Sequence, residues 1–274
     1  MHRSFHFIPG HRKPLFDKLK LLDADHIIFD LEDGVASSQK EEARLTIYSF
    51  LSCLPQKNFW IRINNPSSQH FLKDVELLRL FPNIGIVVPK VDDLSALLSV
   101  SQESPVNKGQ IIALVESFKG VENLSSFASS PLLFAVCLGI EDLFSCLAIP
   151  PHSLTELTNY IKIETLVCAK ANGLICIDGV SINYDDDNAL LQECKDTRNL
   201  GFDGKMSIHP NQLPIINNAF GVDEELVEWA MEIKRKSNLI DDFGYRIVGG
   251  ELITPPKIEK AKTILSALET KHER

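Results

Sequence analysis

The sequence predicts an α/β fold, a (β/α)8 TIM barrel with a C-terminal helix–hairpin–helix extension. Three observations predict it. Eight short apolar runs recur along 274 residues, and such a barrel needs roughly 250 residues as one domain. The runs are near-continuous rather than alternating, as in strands buried on both faces of a parallel sheet. Amphipathic stretches separate them, and no G-x-G-x-x-G follows the first run, which weighs against a doubly wound open sheet.

Taken in order, strands are expected at Phe5–Ile8, His26–Asp30, Trp60–Ile63, Ile84–Pro89, Ile111–Val115, Leu132–Leu138, Ile175–Asp178 and Lys205–Ile208. Helices are expected between them, among them Ser37–Cys53, Gln69–Leu80, Lys119–Ala128, His152–Asn172 and Asp185–Leu200. Ser37–Ser38 ahead of Glu41–Glu42 marks a helix start with acids in its first turn. After the eighth unit, Asp223–Asn238 reads as a helix and Tyr245–Ile253, around Gly249–Gly250, as a hairpin. Pro255–Pro256 then opens a last helix to about Leu268. The expected division is a barrel over residues 1–222 and an extension over 223–274, a lid or oligomer contact forming one structural unit with the barrel.

Composition narrows the function. Hydrophobic content of 44% and charged content of 24% are ordinary for a globular chain. A formal net charge of -9 argues against a nucleic-acid partner. No apolar run approaches the roughly 20 residues of a membrane span, and MHRSFHFIPGHRK lacks the apolar core of a signal peptide. Six scattered cysteines without a C-x-x-C pair point to a reducing, cytoplasmic setting.

Active sites of such barrels sit at the C-terminal ends of the strands. There the sequence places Arg12, then Asp30-Leu31-Glu32-Asp33, Arg62 with Asn64, Lys90, Glu116, Gly139-Ile140-Glu141-Asp142, Asp178 and His209. The expectation is a ring of ionisable groups at one rim. Glu116 and Asp142, on neighbouring strands five and six, are the metal candidates, with Glu141 competing. Two carboxylates completed by water and substrate oxygens suit Mg²⁺, whereas no His/Cys spacing suits zinc. Simpler readings stand beside these: Asp30 and Asp33 as capping or salt-bridge groups, and Arg62 as a buried partner of Asp30 or Glu32. Lys90 equally reads as a structural ion pair, His209 as a helix-start cap, and Asp185-Asp186-Asp187 as a cap for the helix that follows.

The stretches RSFHFIPGHR, IIFDLEDGVASSQKEEAR, WIRIN, GIVVPKV, IIALVES, LGIEDL, IDGV and GFDGKMSIHPNQ, in this order, resemble the citrate lyase beta subunit branch of the HpcH/HpaI aldolase superfamily. The resemblance runs from about Arg3 to Leu265. It implies a Mg²⁺-dependent carbon–carbon lyase that cleaves or forms a 3-hydroxy-acyl thioester of citryl, malyl or citramalyl type. The products are an acyl thioester, on coenzyme A or an acyl carrier protein, and a 2-oxo acid. By motif, Glu116 and Asp142 would hold the metal. Arg62, Glu116, Lys90 and Gly139 would contact substrate, and Arg62, Glu32 and Asp33 would serve catalysis. A homotrimer or hexamer is the implied assembly. The base that takes the hydroxyl proton needs a pKa raised toward neutrality, which a crowd of acids supplies.

Two positions depart from the family pattern. A catalytic Asp expected in the tail is replaced within Leu252-Ile253-Thr254-Pro255 by Thr254, which cannot act as a carboxylate; Glu251, Glu32 or Asp33 are the substitutes at hand. His6 stands where a hydrophobe is usual. The departure at Thr254 sets two alternatives beside the lyase: a related aldolase or acyl-transfer enzyme of a specialised pathway, and a non-catalytic 2-oxo acid-binding homologue.

Overall fold

Eight parallel strands close into a barrel in the order β1 to β8, with β1 also pairing to β8. They are β1 Ser4–Pro9, β2 His26–Asp30, β3 Phe59–Arg62, β4 Gly85–Val88, β5 Ile111–Val115, β6 Leu133–Leu138, β7 Ile175–Asp178 and β8 Gly204–Ser207. The structure, a computed structural model, describes residues 2–53, 58–150, 153–237 and 246–272. Helices alternate with the strands: α1 Lys13–Asp17, α2 Lys40–Leu51, α3 Phe71–Leu80, α4 Leu94–Glu103, α5 Phe118–Phe127, α6 Ile140–Phe144, α7 Thr155–Ala171, α8 Asp187–Leu200 and α9 Gln212–Ala219. The expected strand ends agree with these within one residue. Of the expected helix and hairpin limits, His152, Asn238 and Tyr245 lie outside the described residues.

Strand parity decides which side chains reach the centre. Successive residues of a strand point to opposite faces. Phe5, Ile28, Trp60, Val87, Ile112, Leu114, Ala135, Cys137, Ile177 and Met206 form one buried cluster, which fills the barrel as layers of side chains do in this fold. Alternate residues such as Ile8, Phe29, Ile61 and Val88 pack outward against the helices. Glu41 and Glu42 fall in the first turn of α2, as expected, preceded by a short 3-10 turn over Ser37–Gln39. Asp186 caps α8 by accepting from Ala189 N at 2.9 Å.

The same parity corrects the expectation for Asp178. Ile177 occupies the barrel interior, so Asp178 turns outward, away from the rim, and is buried behind the wall. It accepts from Lys205 Nζ at 2.6 Å and pairs with Lys162 Nζ of α7 at 2.9 Å. Lys205 also reaches Glu193 of α8 at 2.8 Å. Burial works against the Asp178 charge, but Lys205 and Lys162 outweigh it and hold its carboxyl below the usual range. These groups tie β7 and β8 to their helices.

His6 likewise faces outward and is buried against Ser207 Oγ at 3.0 Å. Burial, with His209 nearby, pushes its pKa down to about 4. A group charged in the unfolded chain and neutral in the fold adds stability above its unfolded pKa, and that stability is lost as pH falls toward the folded value. The chain should therefore lose stability progressively from about pH 6.5 to about 4. His6→Leu should flatten that part of the curve; denaturant unfolding of both chains at several pH values checks it, and identical acid slopes would contradict it.

The described residues divide into two compact units, one over 2–220 and a second from residue 221 onward. The second comprises α10 Glu224–Ser237, a hairpin of β9 Arg246–Val248 and β10 Glu251–Ile253, and α11 Pro255–His272. Ala230, Ile233, Ile253 and Ala261 form its core. Gly249 and Gly250 turn the hairpin with φ of 60° and 81°, values that favour glycine. Thr254 Oγ1 accepts from Lys257 N at 3.4 Å, at the start of α11. Threonine and aspartate are both N-cap residues, so this position keeps its capping role without a carboxylate.

Candidate active site

At the C-terminal end of the barrel a cavity of about 90 Å³ is lined by Arg62, Glu116, Gly139, Glu141 and Asp142 above Phe7, Leu114, Cys137 and Met206. A far larger groove of about 1080 Å³ lies beside α1 and α2, but its charged residues, such as Lys13, Asp17 and Glu42, include none of the rim groups. Chemistry rather than volume selects the smaller one.

Asp30 organises the FDLEDGV turn. Its Oδ1 accepts from Glu32 N at 2.8 Å and its Oδ2 from Gly34 N at 2.8 Å. A Cβ on Gly34 would lie 2.3 Å from Asp30 Oδ2, so the turn requires glycine there. Parallel pairing sets Asp30 beside Arg62, and the two form a bidentate pair, Nε to Oδ1 and Nη2 to Oδ2, both at 2.7 Å. Arg62 Nη1 also stands 3.3 Å from Glu32 Oε2, and the guanidinium lies 4.7 Å from the Phe7 ring centre. Burial opposes the Arg62 charge, but Asp30 first, then Glu32 and Glu116, outweigh it and hold its pKa above the usual range. The ion-pair reading of Arg62 therefore holds, and Arg62 lines the cavity as well.

Lys90 binds three acidic groups. Its backbone is left-handed, φ 53°, which is uncommon for a non-glycine residue. Its N–H donates to Glu116 Oε2 at 2.9 Å, while its Nζ reaches Glu32 Oε1 at 2.8 Å and Asp33 Oδ2 at 3.2 Å. The Asp33 carboxyl feels burial pushing it up, but Lys90 prevails and holds it below its usual range. The expected rise from crowded acids is thus absent at Asp33, because cations are interleaved. Behind the turn, Lys40 Nζ donates to the Leu31 and Glu32 carbonyls at 2.7 and 2.8 Å. Sequence reasoning missed Lys40, because a lysine on an amphipathic helix reads as solvent-facing. Asn64 is spent on the same support, donating to Leu31 O at 2.9 Å.

Glu116 is the carboxyl that burial pushes up, to about 7; Glu32 and Asp142 add to the rise, while Arg62 and Lys90 N oppose it. It occupies the space a side chain on Gly139 would take, since a Cβ there would lie 2.5 Å from Glu116 Cγ. Asp142 stands in the first turn of α6, with Glu141 beside it. Among the described residues no group of three or more His, Cys, Asp or Glu side chains is placed to hold a metal ion. Two converging carboxylates, one buried and short of positive charge, fit Mg²⁺, which takes its remaining ligands from water and substrate. His209 stacks on Tyr184 and accepts from Asn211 N at 3.3 Å, just ahead of α9.

A sequence profile of the HpcH/HpaI aldolase/citrate lyase family matches residues 3–210. The chain belongs to that family. It is 30% identical to the (3S)-malyl-CoA thioesterase of Cereibacter sphaeroides over 97% of this chain and 94% of the relative. It is 29% identical to the mitochondrial citramalyl-CoA lyase of Mus musculus, over 96% of this chain and 85% of that protein. Among solved structures it resembles CitE of Mycobacterium tuberculosis in complex with magnesium, acetoacetate and coenzyme A. The TM-score is 0.81 and the identity 26%, over 96% of this chain and 97% of that one. The expected resemblance, the barrel and the enzyme class all stand within the family.

Glu251 is poorly placed to act as a base. Its two oxygens take Lys236 Nζ at 2.7 Å and Lys257 Nζ at 3.0 Å. Those lysines hold its carboxyl below the usual range. Glu251→Gln should change kcat by less than about twofold, since both of its oxygens are engaged by lysines and neither is free to take a proton. Steady-state kinetics on the variant checks it, and a hundredfold loss would restore Glu251 as a catalytic group.

Proposed function

We propose that the chain is a Mg²⁺-dependent carbon–carbon lyase that cleaves or forms a 3-hydroxy-acyl thioester, with coenzyme A as carrier and a 2-oxo acid as the other product. The single observation that carries this reading is the convergence of Glu116, Asp142 and Arg62 on one small cavity at the catalytic end of the barrel. The CitE relative, solved with magnesium and coenzyme A, supports the metal and the carrier. Glu116 and Asp142 would hold the metal, and Mg²⁺ there would supply Lewis-acid chemistry toward the 2-oxo acid.

The remaining roles belong to the chain. Arg62 has five N–H donors; two are given to Asp30 and its Nη1 is ion-paired with Glu32, which leaves donors for a substrate oxygen. Held rigidly by Asp30, it is preorganised to stabilise the negative charge that gathers on the thioester oxygen as the bond breaks. Gly139 leaves room for the Glu116 side chain, which a Cβ there would displace. Lys90, Glu32 and Asp33 position the turn and Glu116, since their charged atoms are matched to one another.

Calorimetric titration of pyruvate into the chain, with and without Mg²⁺, tests the reading. Binding that requires Mg²⁺ is expected; binding of equal strength without the metal would contradict it.

A further inference from the structure

We propose that Asp74, a buried carboxylate on α3 outside the cavity lining, is a positioning residue for Arg62 and for the turn that carries Asp30 and Glu32, acting through Asn64. This rests on the lyase reading above. Asp74 stands in the first turn of α3 and is fully buried. A buried carboxylate is costly unless it is paired and hydrogen-bonded, and here both oxygens are used. Oδ1 accepts from Arg44 Nη1 of α2 at 2.7 Å. Oδ2 accepts from Asn64 N at 2.7 Å and from Asn64 Nδ2 at 2.6 Å. Burial pushes the Asp74 carboxyl above its usual range, against the opposing pull of Asn64 and Arg44. Only a carboxylate meets Arg44 and Asn64 at once, since an amide has a single acceptor oxygen.

Asn64 passes this hold to the site. Its side-chain amide has two N–H donors; one serves Asp74 and the other Leu31 O, at 2.9 Å. Leu31 lies between Asp30 and Glu32, and its own N–H donates to Arg62 O at 2.9 Å. The segments that carry Arg62 and its two acidic partners are thus cross-linked at Leu31 from both sides. Asp74 fixes the amide that makes one of these links. Without that acceptor the Asn64 side chain is free to turn, and the Arg62 guanidinium shifts from its working position. A misplacement of about 1 Å costs on the order of a hundredfold in rate. Glu116 is held separately, by the Lys90 N–H.

Asp74→Asn alone would leave the buried Arg44 without its main counter-charge. The test therefore uses two double variants, Asp74→Asn with Arg44→Met and Asp74→Ala with Arg44→Met. Both lack the charge pair, and they differ in whether an acceptor is left for Asn64. Cleavage of malyl- and citramalyl-coenzyme A is followed well below each melting temperature, and Mg²⁺ binding is titrated by calorimetry. The Asn-containing variant is expected to keep kcat within about threefold of native, because its amide oxygen is free to face Asn64. The Ala-containing variant is expected to lose roughly tenfold or more in kcat and in kcat/KM together, with Mg²⁺ affinity unchanged within about twofold. Equal kcat in the two variants would overturn the inference, make Asp74 a staple for α3 alone, and leave the lyase reading intact. A parallel loss of Mg²⁺ affinity would show a general loosening of the barrel and overturn the inference too. A native chain that cleaves neither thioester would sink the lyase reading and this inference with it.

Discussion

Glu116→Gln should lower the rate of carbon–carbon cleavage by on the order of 10³-fold while leaving the fold intact, as expected when a preorganised electrostatic element of the transition state is lost. Gln keeps the acceptor that Lys90 N uses and fits the same space. It also removes a carboxyl that burial pushes up to about 7. A raised carboxyl pKa means that the ionised form is disfavoured in the metal-free fold, so its stability falls as pH rises from about 4.5 toward 7. The variant should therefore melt no lower than the native chain without metal, and above pH 7 somewhat higher. What it should lose is the stabilisation that Mg²⁺ gives the native chain. Thermal scans with and without Mg²⁺, beside the rate measurement, separate a lost ligand from a damaged fold. A variant still stabilised by Mg²⁺ would contradict the assignment.

Asp30→Asn should have the largest effect on stability, about 3–5 kcal/mol. The isosteric amide leaves the Arg62 guanidinium buried without its main counter-charge. It also weakens the acceptors that Glu32 N and Gly34 N use in the turn. For a chain of this size the melting temperature should fall by on the order of 10 °C. Replacing both partners, Asp30→Asn with Arg62→Met, should recover most of the loss, because it removes the unpaired charge. Activity should not return, because Arg62 is gone. Denaturant unfolding of the single and double variants checks this. A single variant as stable as the native chain would show that the pair is dispensable.

Much of this was legible in the sequence because parallel strands announce themselves. HIIFD, IIALV and LFAVCL are continuous apolar runs that only doubly buried strands require, and each ends in the residues that form the rim. Placing Glu116, Asp142 and Arg62 in one cavity needed only the rule that barrel sites gather where the strands end. Asp178 shows where that rule is too coarse. It ends a strand as Glu116 follows one, yet parity sends it outward to Lys162 and Lys205. Counting from Ile177 would have revealed this, had the pairing register been known. The cations between the acids were harder to foresee. Lys90 reaches Glu32 and Asp33 across 58 and 57 positions of sequence, and only closure of the barrel brings them together. Lys40 gave no signal at all, since helical periodicity does not tell a lysine in water from one donating to two buried carbonyls. The Thr254 departure was visible, but its ability to keep the helix cap emerged only from the hydrogen bond to Lys257.

The reaction proposed for Glu116, Asp142 and Arg62 is carbon–carbon cleavage in a 3-hydroxy-acyl thioester. The most direct measurement is release of a 2-oxo acid from malyl- and citramalyl-coenzyme A by the purified chain, with Mg²⁺ and with a chelator, monitored together with release of free thiol. Mg²⁺-dependent formation of glyoxylate or pyruvate is expected, with the thioester bond kept intact in the acyl-coenzyme A product. Free thiol released with no 2-oxo acid would contradict it, as would cleavage unaffected by the chelator.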